Sequence, residues 1–298
     1  EADRLTIAAG TSGFALMLHA GRAVADVAQA LAPEGRILVV AGCGNNGGDG
    51  FAAAAELAKR GHEVAVMLLC SRDTLKGDAA LAARDWRGEV LACDPAALDG
   101  SALIIDALFG AGLNRPPQGD PHDMIVAMNE SGIPILSVDL PSGVNGTTGE
   151  VMGIAVRATG TVTFFRRKPG HLLLPGRLHC GEVEVAEIGI GAQVLDAIKP
   201  NAFENDPELW RASFPVLSID GHKYARGHAV VVSGPHISTG AARLAARAAL
   251  RAGAGLVTVA SPSDALAINA AALTAVMVRA VDGRAQFGEM LLDARFNA

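Results

Sequence analysis

The sequence predicts an α/β fold built on a mostly parallel sheet, and three observations carry that prediction. Short apolar runs rich in β-branched residues alternate with helical stretches along the chain. Those runs are continuously apolar rather than alternating, which is the pattern of strands buried on both faces. Aromatic residues make up only 4% of the chain while glycine supplies 35 residues, so the layers must approach one another through small side chains.

The elements follow in order. Residues 1–34 read as one helix or two, with Ile7, Phe14, Leu16, Met17, Val24 and Val27 at three- and four-residue spacings. Strands are expected at 36–40, 63–69, 102–105, 133–138 and 161–165, with helices near 51–59, 77–86 and 124–129. This is a Rossmann-like, three-layer α/β/α arrangement spanning 1–200. Pro200, Asn201, Asn205, Pro207 and Pro215 mark a linker at 201–220. From 221 to 298 the pattern restarts, with strands at 229–232 and 256–260 and helices at 240–251 and 263–273. That second α/β unit, about 80 residues long, lies at the low end for an independent domain.

Composition restricts the function. At 298 residues and 50% apolar content, the chain can fill two domains. A net charge of −6 provides no basic field for nucleic acid or an anionic membrane, so the expected partner is a small molecule. No apolar run approaches the roughly 20 residues that span a bilayer, and Glu1-Ala2-Asp3-Arg4 does not open a secretory signal. A cytoplasmic protein is expected. Cys43, Cys70, Cys93 and Cys180 lack a Cys-x-x-Cys pair and read as small buried apolar residues in a reducing compartment.

The segment Gly42-Cys43-Gly44-Asn45-Asn46-Gly47-Gly48-Asp49-Gly50 joins an apolar run to an alanine-rich helical pattern. Its five glycines are expected to allow positive φ and to turn N–H groups towards a ligand at a helix N-terminus. Asp106 follows the run 103–105 and opens a glycine-containing loop, and Asp139-Leu140-Pro141-Ser142-Gly143 repeats the arrangement after 135–138. Three polar clusters at the carboxyl ends of parallel strands should meet at one sheet edge. Oxygen donors from Asn46, Asp106 and Ser142, with backbone carbonyls, suit a hard cation rather than zinc. The basic stretch from Arg166 to His171 reads as a solvated loop.

These motifs resemble the YjeF-type NAD(P)H-hydrate repair enzymes, and the likeness runs from about residue 1 to 190. It rests on Gly44–Gly50, on Asp106-Ala107-Leu108-Phe109-Gly110-Ala111-Gly112-Leu113-Asn114-Arg115-Pro116 and on Asp139–Gly143, in order and spacing. The resemblance implies an epimerase domain that interconverts the R and S hydrates of NADH and NADPH at C6 of the nicotinamide ring. It implies that Asn45, Asn46, Gly47, Gly48 and Asp49 contact the hydrated nucleotide and that Gly110, Ala111, Gly112, Leu113, Asn114, Arg115 and Pro116 embrace it. Asp139 would face the reacting ring as the catalytic group, and Asn46, Asp106 and Ser142 would hold potassium. It also implies a homodimer through the epimerase domain.

The later segments His222–His228, Val231-Val232-Ser233-Gly234 and Thr239–Val257 resemble the start of an ADP-dependent dehydratase domain of ribokinase-like fold, with Ala241 near substrate. The chain ends at Phe296-Asn297-Ala298 before that family's later nucleotide site, so the second domain is expected to be partial and the chain cut short. Three alternatives compete with this reading. Gly42-x-Gly44-x-x-Gly47 formally fits an NADPH-dependent oxidoreductase, the tail alone suggests a sugar-kinase-like phosphotransferase, and a non-catalytic protein-binding module is the third, against which the polar, ligand-ready cleft speaks.

Overall fold

The structure, a computed structural model, describes residues 1–216 and 218–293 and forms two compact units, Glu1–Phe203 and Glu204–Ala298. In the first unit, seven parallel strands run β1 (Arg36–Ala41), β2 (Val64–Leu68), β3 (Val90–Leu91), β4 (Ser101–Ala107), β5 (Ile135–Val138), β6 (Gly160–Phe164) and β7 (Glu182–Ala186). Their order in the sheet is β3-β2-β1-β4-β5-β6-β7. The order reverses between β1 and β4, and an open α/β sheet has its crevice at the carboxyl edge of such a switch.

Alternation along each strand divides the core in two. Ile37, Val39, Leu103 and Ile105 pack under the helices α2 (Gly13–Leu31), α3 (Asn45–Lys59) and α4 (Gly77–Asp85). Leu38, Val40 and Ile104 pack on the other face, under α5 (Asp120–Glu130) through Met124, Ile125 and Met128. The two short helices α1 (Ala2–Ala8) and α6 (Val194–Ile198) complete the unit. Small residues set the layer spacing: a Cβ on Gly21 of α2 would lie 2.5 Å from Ala52 Cβ of α3.

The second unit contains α7 (Pro207–Trp210), β8 (His228–Val232), α8 (Gly240–Ala252), β9 (Leu256–Ser261), α9 (Leu266–Ala272), β10 (Met277–Ala280) and α10 (Gly283–Leu291). Its three strands are parallel in the order β10-β9-β8. The chain end at 296–298 lies outside the described residues. Among the described residues no helix is long and apolar enough to cross a membrane.

Several expectations change. The two-residue β3 is too short for a periodicity signal, and β7, Glu-Val-Glu-Val-Ala, is a half-exposed edge strand that alternates where its neighbours do not. The cysteines are free, yet only Cys180 is buried, since Cys43 is exposed and Cys70 and Cys93 are half-buried at strand ends.

Candidate active site

The glycine segment differs from its expected form. Helix α3 begins at Asn45, with Gly44 as N-cap, so Asn45, Asn46, Gly47, Gly48 and Asp49 form its first turns. None of the five glycines takes positive φ. They serve close approach instead: a Cβ on Gly42 would lie 2.1 Å from Leu108 O, and one on Gly47 would lie 2.0 Å from Gly42 O. A Cβ on Gly50 would meet Ala107 Cβ at 2.6 Å. The helix start is thereby pressed into the mouth between β1 and β4. Gly44 supplies no side-chain cap, so the first N–H groups of α3, at the mouth between β1 and β4, have no capping side chain to accept from them.

Asp106 lies within β4, opposite Val40 and Ser137 on its neighbours, and is fully buried. Its Oδ1 accepts Ser142 Oγ–H at 2.6 Å and Leu108 N–H at 3.3 Å, and its Oδ2 accepts Ser137 Oγ–H at 2.8 Å and Ser142 N–H at 2.9 Å. Burial raises the Asp106 carboxyl above its ordinary value, while these hydrogen bonds oppose the rise. No cationic side chain among the described residues pairs with it. Ser142 is also fully buried and accepts Phe109 N–H at 2.9 Å, which ties the loop after β4 to the turn after β5.

Asp139 occupies a different setting. Its φ is +66°, in a tight turn closed by Leu140 N–H on Val138 C=O at 2.8 Å, a strained conformation that pushes the side chain off the end of β5. Oδ2 accepts Ala111 N–H at 2.8 Å. Oδ1 lies 2.6 Å from Lys168 Nζ and accepts Thr163 Oγ1–H at 3.2 Å, while the same Nζ donates to Thr163 Oγ1 at 2.8 Å and Phe164 O at 3.2 Å. Burial would raise this carboxyl, but the Lys168 charge and the hydrogen bonds from Lys168, Ala111 and Thr163 outweigh it and hold it below the usual carboxylate range.

The stretch Arg166–His171 is therefore no solvated loop at its centre. β6 lies beside β5, so the chain leaving β6 returns across Asp139. His171 is buried, and its Nδ1 accepts Lys168 N–H at 2.9 Å. Its Nε2 therefore carries the proton, and it donates to Asp139 O at 2.8 Å. Burial lowers the His171 pKa and keeps the ring neutral. Lys168 and His171, with Thr163 and Ser137, are the site groups that sequence reasoning missed. The proline and glycine of Lys168-Pro169-Gly170-His171 were the available signal.

Asp49 faces the same space. It is half-buried, and burial together with the charges of Asp139 and Asp3 raises its carboxyl well above the ordinary range, with Lys168 acting in the opposite sense. Two carboxyl groups with oppositely shifted affinities for a proton thus share one crevice, a pattern that separates acid from base.

The remaining expected residues divide. Gly110 sits at the centre, since a Cβ there would lie 2.8 Å from Asp139 Oδ2 and 2.9 Å from Asn46 Oδ1. Ala111 binds Asp139 through its N–H, and Leu113 N–H returns to Gly110 O at 3.2 Å. Gly112, Asn114, Arg115 and Pro116 lie exposed on the outer part of that loop. Ala241 belongs to the second unit, exposed in the first turn of α8. The structure thus brings Asn46, Asp49, Asp106, Gly110, Ala111, Asp139 and Ser142 to one sheet edge.

A cation fits this donor set. The Ser142 hydroxyl borders the buried Asp106 carboxylate, which has no cationic side-chain partner among the described residues, and Asn46 Oδ1 lies beside Gly110 at the same sheet edge; all are hard oxygen donors. Asn46 Nδ2 is buried without a hydrogen-bond partner, a donor left for an acceptor on a bound ligand. Asp106 already accepts four hydrogen bonds, so it contributes charge more than open lone pairs.

Comparison with known proteins agrees with this geometry. The family described as YjeF-related protein N-terminus matches residues 13–170, and that described as NAD(P)H-hydrate dehydratase matches residues 229–296. A bifunctional NAD(P)H-hydrate repair enzyme of Coxiella burnetii is 38% identical over 270 residues, 88% of this chain and 54% of that protein. The Escherichia coli protein of the same name is 34% identical over 269 residues, 87% of this chain and 51% of that protein. An NAD(P)H-hydrate epimerase of Rhodopirellula baltica is 35% identical over 190 residues, 61% of this chain and 78% of that protein. The chain spans about half the length of the bifunctional relatives. It belongs to the YjeF-type family of NAD(P)H-hydrate repair enzymes.

Proposed function

We propose that the first unit epimerises the R and S hydrates of NADH and NADPH at C6 of the nicotinamide ring. The single observation that carries the reading is Asp139, ionised against Lys168 on a strained turn and facing Asn46 and Asp49 across the β1–β4 mouth. At C6 a hydroxyl and the ring nitrogen share one carbon, so the stereocentre is erased either by loss of the hydroxyl or by ring opening. In the first route the C6–O bond breaks as Asp49 gives its proton to the departing oxygen, N1 donates its lone pair to C6, and water returns on the other face with its proton passing back to Asp49. Asp139 stabilises the positive charge that develops on the ring. In the second, Asp139 takes the hydroxyl proton as the C6–N1 bond opens to an aldehyde and Asp49 protonates the departing N1; the bond rotates, N1 re-adds to the other face of the carbonyl, and both protons return. No redox change occurs in either.

Asn46, Asp106 and Ser142 would hold potassium, which supplies positive charge beside the buried Asp106 carboxylate and draws the loops after β1, β4 and β5 together. The second unit, through its family match, is read as the beginning of an ADP-dependent dehydratase domain that would act on the S hydrate. A homodimer through the first unit and a cytoplasmic location complete the reading.

Purified R-hydrate of NADH incubated with the chain, without ADP, should convert to a mixture of R and S hydrates faster than in buffer alone. A ratio that drifts only at the buffer rate would refute the assignment.

A further inference from the structure

A cavity of about 350 Å³ opens at the carboxyl ends of β2 and β3, outside the cluster just described. Leu68, Val90, Leu91 and Ala92 provide apolar walls, and Arg72 and Asp120 provide one charge of each sign. The Arg72 guanidinium is fixed by Nη2, which donates to the carbonyls of Ala83 and Trp86. Burial pushes the Cys93 thiol at the cavity wall up, and the carboxylates of Asp120, Asp94 and Asp123 add to the shift.

The strand order fixes how far this cavity lies from Asp139. From β5 through β4 and β1 to β2 there are three inter-strand steps of about 4.8 Å, roughly 14 Å along the sheet edge. Between the two ends lies the N-terminus of α3, whose glycine cap offers no side-chain acceptor to the first N–H groups. An extended dinucleotide has the same layout: a ring at one end, a diphosphate in the middle, a purine ribose at the other.

We propose that this cavity is the subsite for the adenosine end of the hydrated dinucleotide, with the base on Leu91 and Ala92 and a ribose hydroxyl donating to Asp120. The inference rests on the epimerase reading of the first unit. In this arrangement the diphosphate crosses the start of α3, and Asp120, brought in from α5, takes the place of the acidic residue that dinucleotide folds usually carry at the end of β2. The sequence beyond β2, Cys70-Ser71-Arg72, lacks that residue. Groups that bind substrate and transition state alike affect KM and leave kcat unchanged.

The test compares two substrates, the hydrate of NADH and the hydrate of reduced nicotinamide mononucleotide, which has no adenosine. Ala92→Trp fills the cavity from an exposed position, and Asp120→Asn removes the acceptor charge at the exposed start of α5. Each variant should raise KM for the NADH hydrate by roughly tenfold with kcat unchanged, and leave kcat/KM for the mononucleotide hydrate as in wild type. Unchanged KM for the NADH hydrate in both variants, with wild-type epimerisation intact, overturns the subsite alone. Equal losses on both substrates also overturn it. Failure of the wild-type chain to epimerise either hydrate overturns the epimerase reading and the subsite with it.

Discussion

Asp106 and Asp139 end adjacent strands of one sheet, yet the two regions around them treat a carboxylate in opposite ways. Around Asp106 the protein sets hydroxyl and amide donors and, among the described residues, no cationic side chain, so the group is held as a fixed part of the frame. Around Asp139 it places a lysine at 2.6 Å, strains the backbone and leaves a path to the crevice. On the proposed role of Asp139, burial alone does not mark a reacting group. A buried carboxylate becomes chemically useful when a fixed opposite charge keeps it ionised and the backbone turns it outward.

The largest expected effect breaks the frame. Asp106→Ala leaves the donors of Ser137, Ser142 and Leu108 without their acceptor in a dry interior, which should cost about 3–5 kcal/mol. Chemical denaturation would measure it, and a loss below 1 kcal/mol would mean that the region repacks freely.

Lys168→Met strikes the other region. Stability should fall moderately, and epimerisation by about a hundredfold. In the native protein the folded pKa of Asp139 lies below its unfolded value, so its contribution is present above the unfolded value, about 3.9, and is lost as pH falls through the folded one. Without Lys168, burial dominates and raises the folded pKa, so stability should instead decline as pH rises through it. The acid limb of the rate profile should move upward in step.

Replacing potassium with tetramethylammonium should slow epimerisation by about tenfold and lower the melting temperature of the first unit. Indifference of both would remove the ion from the account. The smallest effect concerns Asp49, whose folded pKa is raised. Its ionised form opposes folding as pH climbs from the unfolded value through the folded one. Asp49→Asn should therefore raise the melting temperature by a few degrees at pH 8, with the gain fading as pH falls below the unfolded value of about 3.9, where the carboxyl becomes protonated in both states.

Much of this was legible because apolar strands end abruptly in polar residues. Asn46, Asp106, Asp139 and Ser142 could be placed at one edge from parallel topology alone. Lys168 and His171 could not, since their role exists only because β6 lies beside β5 and carries the chain back over Asp139. Asp120 was hidden for the same reason, being brought to the end of β2 by a helix on another strand's connection. Helix α3 starts six residues before the expected position because close packing of Gly47, Gly48 and Gly50 overrides their weak helix propensity. Those contacts are tertiary, and no local pattern distinguishes a glycine kept for φ from one kept for space.

The most direct measurement is epimerisation of purified R-hydrate by Asp139→Asn, with its folding verified by thermal unfolding. An ionised, lysine-held carboxylate at the reacting ring predicts a native melting profile at neutral pH within a few degrees of wild type and a loss of about a thousandfold in kcat. A folded variant that converts R to S at the wild-type rate would contradict the account.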